Sequence, residues 1–163
     1  MSTLHHEKLL FNDQINISND GGELANDAGT LLIAEFLHQI HFDQLLEDNL
    51  HFKDDRKYCT FPLNNLFKQL LLQLLAGYCQ DQSANTLSHA VDFKLVLSQA
   101  VASQPTLSSF INHISASGLF SVKSLLGSVA HFVLGQLNQH QLILDLDSTH
   151  ADTFGDQEKS AYN

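Results

Sequence analysis

A leucine-rich run between residues 63 and 78 places the strongest constraint on how this chain can fold. Its apolar residues recur at spacings of three and four: Leu63, Leu66, Phe67, Leu70, Leu71, Leu74, Leu75 and Tyr78. This spacing puts them on one face of an α-helix, and Pro62 suits a first helical turn. The run predicts a central core helix or the coiled-coil seam of a dimer. It is too polar to span a membrane.

Similar periodicity predicts further helices on both sides of this run. Asp27 could cap a helix with an apolar stripe of Leu32, Ile33, Phe36, Leu37 and Ile40. A short strand is predicted around residues 11–17, and further helices over 42–50 and 119–137. Residues 51–58 form a polar segment, which we interpret as a solvated linker or, as the alternative, a contact to the DNA backbone.

A helix beginning near Ser103 combines a buried stripe with a small polar face. Pro105 suits its first turn, and Leu107, Phe110, Ile111 and Ile114 form the stripe. The outward residues are Ser108, Ser109, Asn112 and His113. A recognition helix offers such side chains to DNA bases and phosphates. An ordinary capped helix with a polar exterior explains the same pattern, and the sequence alone favours it.

Acidic residues interrupt an apolar, strand-like run near the end of the sequence. Asp145 and Asp147 alternate with Leu144 and Leu146, so a strand would place both carboxylates on one face. A divalent cation could compensate two neighbouring carboxylates. An edge strand with exposed acids is the simpler interpretation.

Charge and cysteine content narrow the class of protein. The formal net charge is -10 at pH 7, which argues against nonspecific phosphate binding over the whole surface. Residues 59–140 are nearly uncharged, with two acids and three bases. Two cysteines without a Cys-x-x-Cys spacing indicate free thiols in the cytoplasm, and the first residues do not form a signal peptide.

Several motifs in order resemble DDE-type transposases of bacterial insertion sequences. LDLDST, followed by Gly155, Gln157-Glu158 and Tyr162-Asn163, resembles the start of their catalytic domain. Upstream matches are DGGEL, Gly77-Tyr78, Phe93-Lys94 and SQPTLS. The resemblance implies that Asp147 is the first catalytic carboxylate and a ligand of Mg²⁺ or Mn²⁺. Carboxylate-held cations of this kind activate a water or a DNA 3′ hydroxyl during phosphoryl transfer.

The resemblance also implies a division of the chain. We expect a mainly α fold: an N-terminal helical domain followed by the first β-hairpin of a truncated ribonuclease-H-like α/β catalytic domain. The predicted units are an acidic segment over 1–58, a helical DNA-binding or dimerisation domain over 59–140, and the start of the catalytic domain over 141–163. The second Asp and the Glu of the family lie further downstream, so we expect a fragment that is inactive alone and does not hold Mg²⁺ tightly.

Two functions are compatible with this organisation. The first is the N-terminal part of a transposase that binds transposon ends and, when complete, cleaves and transfers DNA strands. The alternative is a non-catalytic helical binding or dimerisation module, such as an inhibitory truncated transposase. The expected partners are transposon-end DNA and a second copy or a full-length transposase. No membrane is expected as a partner.

Overall fold

A computed structural model describes residues 7–17 and 27–137, together with residues 141, 143, 145 and 147. Within these residues a small antiparallel sheet precedes seven α-helices. The strands are β1 (Glu7–Lys8) and β2 (Asn16–Ile17), and the helices are α1 (Gly29–Gln39), α2 (Phe42–Asn49), α3 (Leu63–Leu75), α4 (Ser83–Leu87), α5 (Val91–Leu97), α6 (Gln104–Asn112) and α7 (Ala116–Gln136). The prediction of a mainly α fold is confirmed. The predicted ribonuclease-H-like hairpin lies mostly outside the described residues.

Two apolar clusters form the core. In the larger cluster α1 packs on α2 and α5, and α2 packs along α7. The smaller cluster lies between α3 and α6 and contains Leu66, Leu107 and Phe110. Phe52 and Phe67 contact both clusters. The larger cluster includes residues from either side of position 58, and the predicted boundaries at 58 and 140 stay a prediction.

The buried face of α1 differs from the predicted stripe. Leu37 and Ile40 of the stripe are buried as predicted, but Leu32 is 61% exposed and Phe36 is 49% exposed, and Leu31 is buried in their place. A run of consecutive apolar residues fits two adjacent helix faces, so spacing alone could not choose between them. Packing against α2 and α5 decides which face is buried.

α3 ends three residues before the predicted position. Gly77 has a φ of 88°, which is accessible to glycine at little cost. The amides of Gly77 and Tyr78 donate to the carbonyls of Leu74 and Gln73 at 3.0 and 2.8 Å. These bonds satisfy carbonyl groups at the end of the helix and turn the chain away from its axis.

α3 packs inside the chain on a face that only partly matches the predicted leucine seam. Leu66 is the one member of the seam that is buried, whereas Leu72, Gln69 and Gln73, which lie outside the seam, are buried as well. The Gln69 amide explains its burial, because Oε1 accepts from the Ala102 amide at 2.8 Å and Nε2 donates to the Ala102 carbonyl at 3.0 Å. The interpretation of α3 as a core helix is confirmed, the predicted seam is wrong as its buried face, and dimerisation stays a prediction.

A polar network joins the beginning of α1, the end of α3 and the beginning of α5. The Tyr78 hydroxyl donates to Asp27 Oδ2 at 2.9 Å, and the Asp27 amide donates to Asp92 Oδ2 at 2.9 Å. The hydrogen bond to the Asp27 carboxylate, together with burial, raises the pKa of Tyr78. Asp27 was predicted to cap α1, yet its side chain makes no cap bond and holds Tyr78 instead.

α7 is the longest described helix and packs along α2. The Ser115 hydroxyl caps its first turn by accepting from the Gly118 amide at 3.2 Å, and Ser128 donates to Asn49 at 2.8 Å. Within the part of the chain that the structure describes, α7 alone is long and apolar enough to cross a membrane. Of the residues in its apolar window 17% are buried, and one such helix is weak evidence for a membrane span.

Candidate functional site

α6 carries the four residues predicted to face DNA. Ser103, in an extended conformation, precedes the helix, and Pro105 occupies its first turn. Leu107 and Phe110 are buried against α3, which fixes the rotation of the helix. The polar residues of α6 therefore lie on its two flanks.

Ser108 and Asn112 lie on the flank that faces the loop before α4. Ser108 Oγ donates to Asp81 Oδ2 in a short hydrogen bond, and Gln104 Nε2 donates to the same oxygen at 3.1 Å. These two bonds lower the pKa of Asp81, because they stabilise its ionised form. Asn112 is exposed and lines a shallow cavity with Cys79 and Asp81. Ser108 is thus half-buried and engaged within the chain.

Ser109 and His113 lie on the opposite flank and line a larger cavity. This cavity of about 680 Å³, which we call the α6 groove, lies between residues 52–56 and α6. Its remaining lining includes Leu63, Leu66, Phe110 and Ile114. His113 Nδ1 donates to the Ser109 carbonyl at 2.6 Å, which leaves Nε2 as the ring nitrogen available to a ligand.

The wall of the groove opposite α6 is a charged loop. Arg56 binds Asp54 through Nε and Nη2 at 2.7 and 2.6 Å, and Lys53 pairs with Asp55 at 3.0 Å. The hydrogen bonds from Arg56 lower the pKa of Asp54 to about 2. Arg56 Nη2 also donates to the Phe61 carbonyl at 3.0 Å.

Sequence reasoning missed two features of this region. Asp81 is one of only two acids in residues 59–140, and the scarcity of acids in this segment could have marked it as a residue with a specific partner. The approach of residues 52–56 to α6 had no local signal, because it depends on how α3 and α6 pack. The structure therefore separates the predicted polar face into an acid-bound flank and a groove flank.

Asp147 is described and exposed, as are residues 141, 143 and 145. Most of the strand and hairpin predicted around it lies outside the described residues. Among the residues that the structure does describe, no group of three or more His, Cys, Asp or Glu side chains is placed to hold a metal ion. Mg²⁺ requires six oxygen ligands in octahedral geometry, and Ca²⁺ requires six to eight, so a single carboxylate does not complete either site.

Comparison with known proteins identifies the family. The profile of a family described as Transposase DDE domain group 1 matches residues 7–163. The chain belongs to this transposase family. The match extends from β1 beyond Asp147, so it covers the helical region and the acidic segment together. No curated protein and no solved structure gave a significant match.

Proposed function

We propose that this DDE transposase chain engages transposon-end DNA through its helical region and supplies Asp147 as the first carboxylate of the catalytic site. The family match over residues 7–163 carries this proposal, because it covers both α6 and the LDLDST segment. We place this function in the cytoplasm, consistent with two exposed free thiols at Cys59 and Cys79.

Transposases of this family generally use divalent metal ions. Bound cations of this kind activate the attacking oxygen and stabilise the leaving oxygen in phosphoryl transfer. Asp147 would contribute one oxygen ligand, and its side chain is exposed. The described residues do not by themselves complete a metal site.

The exposed polar groups of α6 are the proposed DNA contacts. Ser109 and His113 present a hydroxyl and an imidazole, and Asn112 presents an amide. Such groups hydrogen-bond to phosphate oxygens and to base edges. Ser108 would not contact DNA directly, because its hydroxyl is already bound to Asp81. It would act by holding α6 in position.

Replacing Asp147 tests the proposed metal ligand. We expect Mn²⁺ to broaden the backbone NMR signals around residue 147 at low metal concentration, and Asp147→Ala to remove that broadening, because the carboxylate is the oxygen ligand. Asp145→Ala removes the same charge two residues away and is the matched control. Unchanged broadening in Asp147→Ala, or an equal loss of broadening in Asp145→Ala, would refute the assignment.

A further inference from the structure

The basic residues of this chain are concentrated beside the α6 groove. Three of its eight Lys and Arg residues, Lys53, Arg56 and Lys57, fall within five positions, and Arg56 is its one arginine. Lys53 and Arg56 line the groove opposite Ser109 and His113. Asp54 and Asp55 lie among these basic residues, and the rest of the sequence has 16 Asp and Glu residues against five Lys and Arg residues.

Arg56 is oriented in a way that leaves donors for a ligand. Its Nε and Nη2 groups are engaged by Asp54 and by the Phe61 carbonyl. A guanidinium has five N–H donors in a fixed fork, so the two on Nη1 remain. Among the described residues, no hydrogen bond involves Nη1. Asp54 thus acts as a positioning residue that holds the fork at the edge of the groove.

The acids of this loop do not prevent an anion from binding. Asp55 pairs with Lys53 at 3.0 Å, and both side chains are largely exposed. Exposed ion pairs contribute little to stability, so a phosphate can displace Asp55 from Lys53 at small cost. Asp54 faces Nε and Nη2 of Arg56, whereas the unused Nη1 lies on the other arm of the fork.

The shape and lining of the groove suit a nucleotide. Its volume of about 680 Å³ lies within the usual range of ligand sites. Phe110, Leu63 and Leu66 give it an apolar floor, and Ser109 and His113 add hydrogen-bonding groups along α6. Proteins that hold a nucleic acid strand combine basic groups for its backbone with apolar or aromatic surface for its sugars and bases.

We propose that the α6 groove binds a nucleotide of a DNA strand, with its phosphate on Arg56 and Lys53 and its sugar and base against the apolar floor. Ser109 and His113 would contact the same nucleotide from α6. This inference rests on the proposed function, because it identifies which surface of the transposase holds DNA. It selects the groove flank of α6 over the flank occupied by Asp81.

Two variants test the groove by different means. Arg56→Ala removes the phosphate donor, and Ser109→Trp fills the groove without a change of charge. Their matched controls lie on α7: Lys123→Ala removes a positive charge, and Ser124→Trp adds the same bulk at an exposed position. Affinity is measured by fluorescence anisotropy at several salt concentrations, with a labelled duplex of about three helical turns and with its separated single strand. Circular dichroism checks that each variant is folded.

We expect both groove variants to weaken DNA binding by roughly fivefold or more, and both controls to match the wild-type chain. Arg56→Ala should also reduce the slope of log affinity against log salt by about one, because one phosphate contact is lost. Whichever of the duplex and the single strand shows these losses is the form that enters the groove. If Arg56→Ala fails to fold, the DNA affinities of Arg56→Lys and Ser109→Trp decide whether the groove binds DNA.

The possible failures are distinguishable. If the wild-type chain binds DNA and both groove variants keep its affinity, the groove inference is wrong while DNA binding by the transposase stands. If the wild-type chain binds neither DNA form, both the groove inference and the proposed role of the helical region fail. The role of Asp147 is then still decided by its own experiment. Losses equal to those of the α7 controls would show a general charge or bulk effect and would overturn the inference.

Discussion

Gln69 shows how one buried amide can replace a hydrophobic residue in a helix core. It satisfies both backbone groups of Ala102, and all three groups are buried. Gln73, one turn later, accepts from Gln69 at 3.2 Å, but its Nε2 has no hydrogen-bond partner among the described residues. Two glutamines one turn apart on the same buried face therefore differ in what they contribute to the free energy of unfolding.

Replacing each glutamine by leucine should separate these roles. Gln69→Leu leaves the N–H and C=O of Ala102 buried without partners, so we expect it to lower the free energy of unfolding by about 2–4 kcal/mol. Gln73→Leu removes an unsatisfied donor and should change that free energy by less than about 1 kcal/mol. Urea unfolding of both variants measures the difference. Equal losses would show that the Ala102 bonds are not the reason for the burial of Gln69.

One carboxylate links α6 to the segment that precedes α4. Ser108 and Gln104 both donate to Asp81, which lies just before α4. The pKa of Asp81 is lowered in the folded chain. The stabilisation that these hydrogen bonds contribute is therefore full above the unfolded pKa of about 3.9. It is lost as the pH falls through the lower folded pKa.

Asp81→Asn should consequently destabilise the chain in a pH-dependent way. At pH 7 we expect a lower melting temperature than that of the wild type, because the amide is a weaker acceptor than the carboxylate. The difference should shrink as the pH falls below the unfolded pKa of about 3.9 and disappear below the lower folded pKa, where the wild-type carboxylate is protonated in both states. Thermal unfolding between pH 7 and pH 3 measures it, and Ser108→Ala should show strong non-additivity with Asp81→Asn. A difference that does not change with pH would contradict this role.

The helices themselves were predictable, but several of their faces were not. Spacing located α2, α3, α6 and α7 to within a few residues, because periodicity and proline or serine at the first turn are local signals. The faces of α1 and α3 depend on which neighbours pack there, as Phe36 and Gln69 show. The same limit applies to the candidate site. The polar face of α6 was evident in the sequence, whereas its pairing with Asp81 and with residues 52–56 required the packing of separate segments.

At the scale of the whole molecule, the Asp27, Tyr78 and Asp92 network connects segments distant in sequence. Its hydrogen bonds span 51 and 65 residues. They join Asp27 at the beginning of α1 to Tyr78 of the Gly77-Tyr78 motif and to Asp92, which directly precedes the Phe93-Lys94 motif. Because α1 and α5 belong to the larger core cluster, a weaker network should affect the unfolding of the entire helical region.

Tyr78→Phe tests this connection, and Tyr58→Phe is its matched control, since Tyr58 is 96% exposed. Loss of the bond to Asp27 should lower the free energy of unfolding by about 1–2 kcal/mol at pH 7, while the control stays at the wild-type value. The pKa of Tyr78 is raised in the folded chain, so its stabilising contribution is full below the unfolded pKa of about 10. That contribution disappears as the pH rises through the folded value, and the gap between the wild type and Tyr78→Phe should close there. Urea unfolding followed by circular dichroism, at pH 7 and in alkaline buffer, measures the free energy of unfolding under both conditions. If Tyr78→Phe and Tyr58→Phe are equally stable at pH 7, the network does not hold the three segments together.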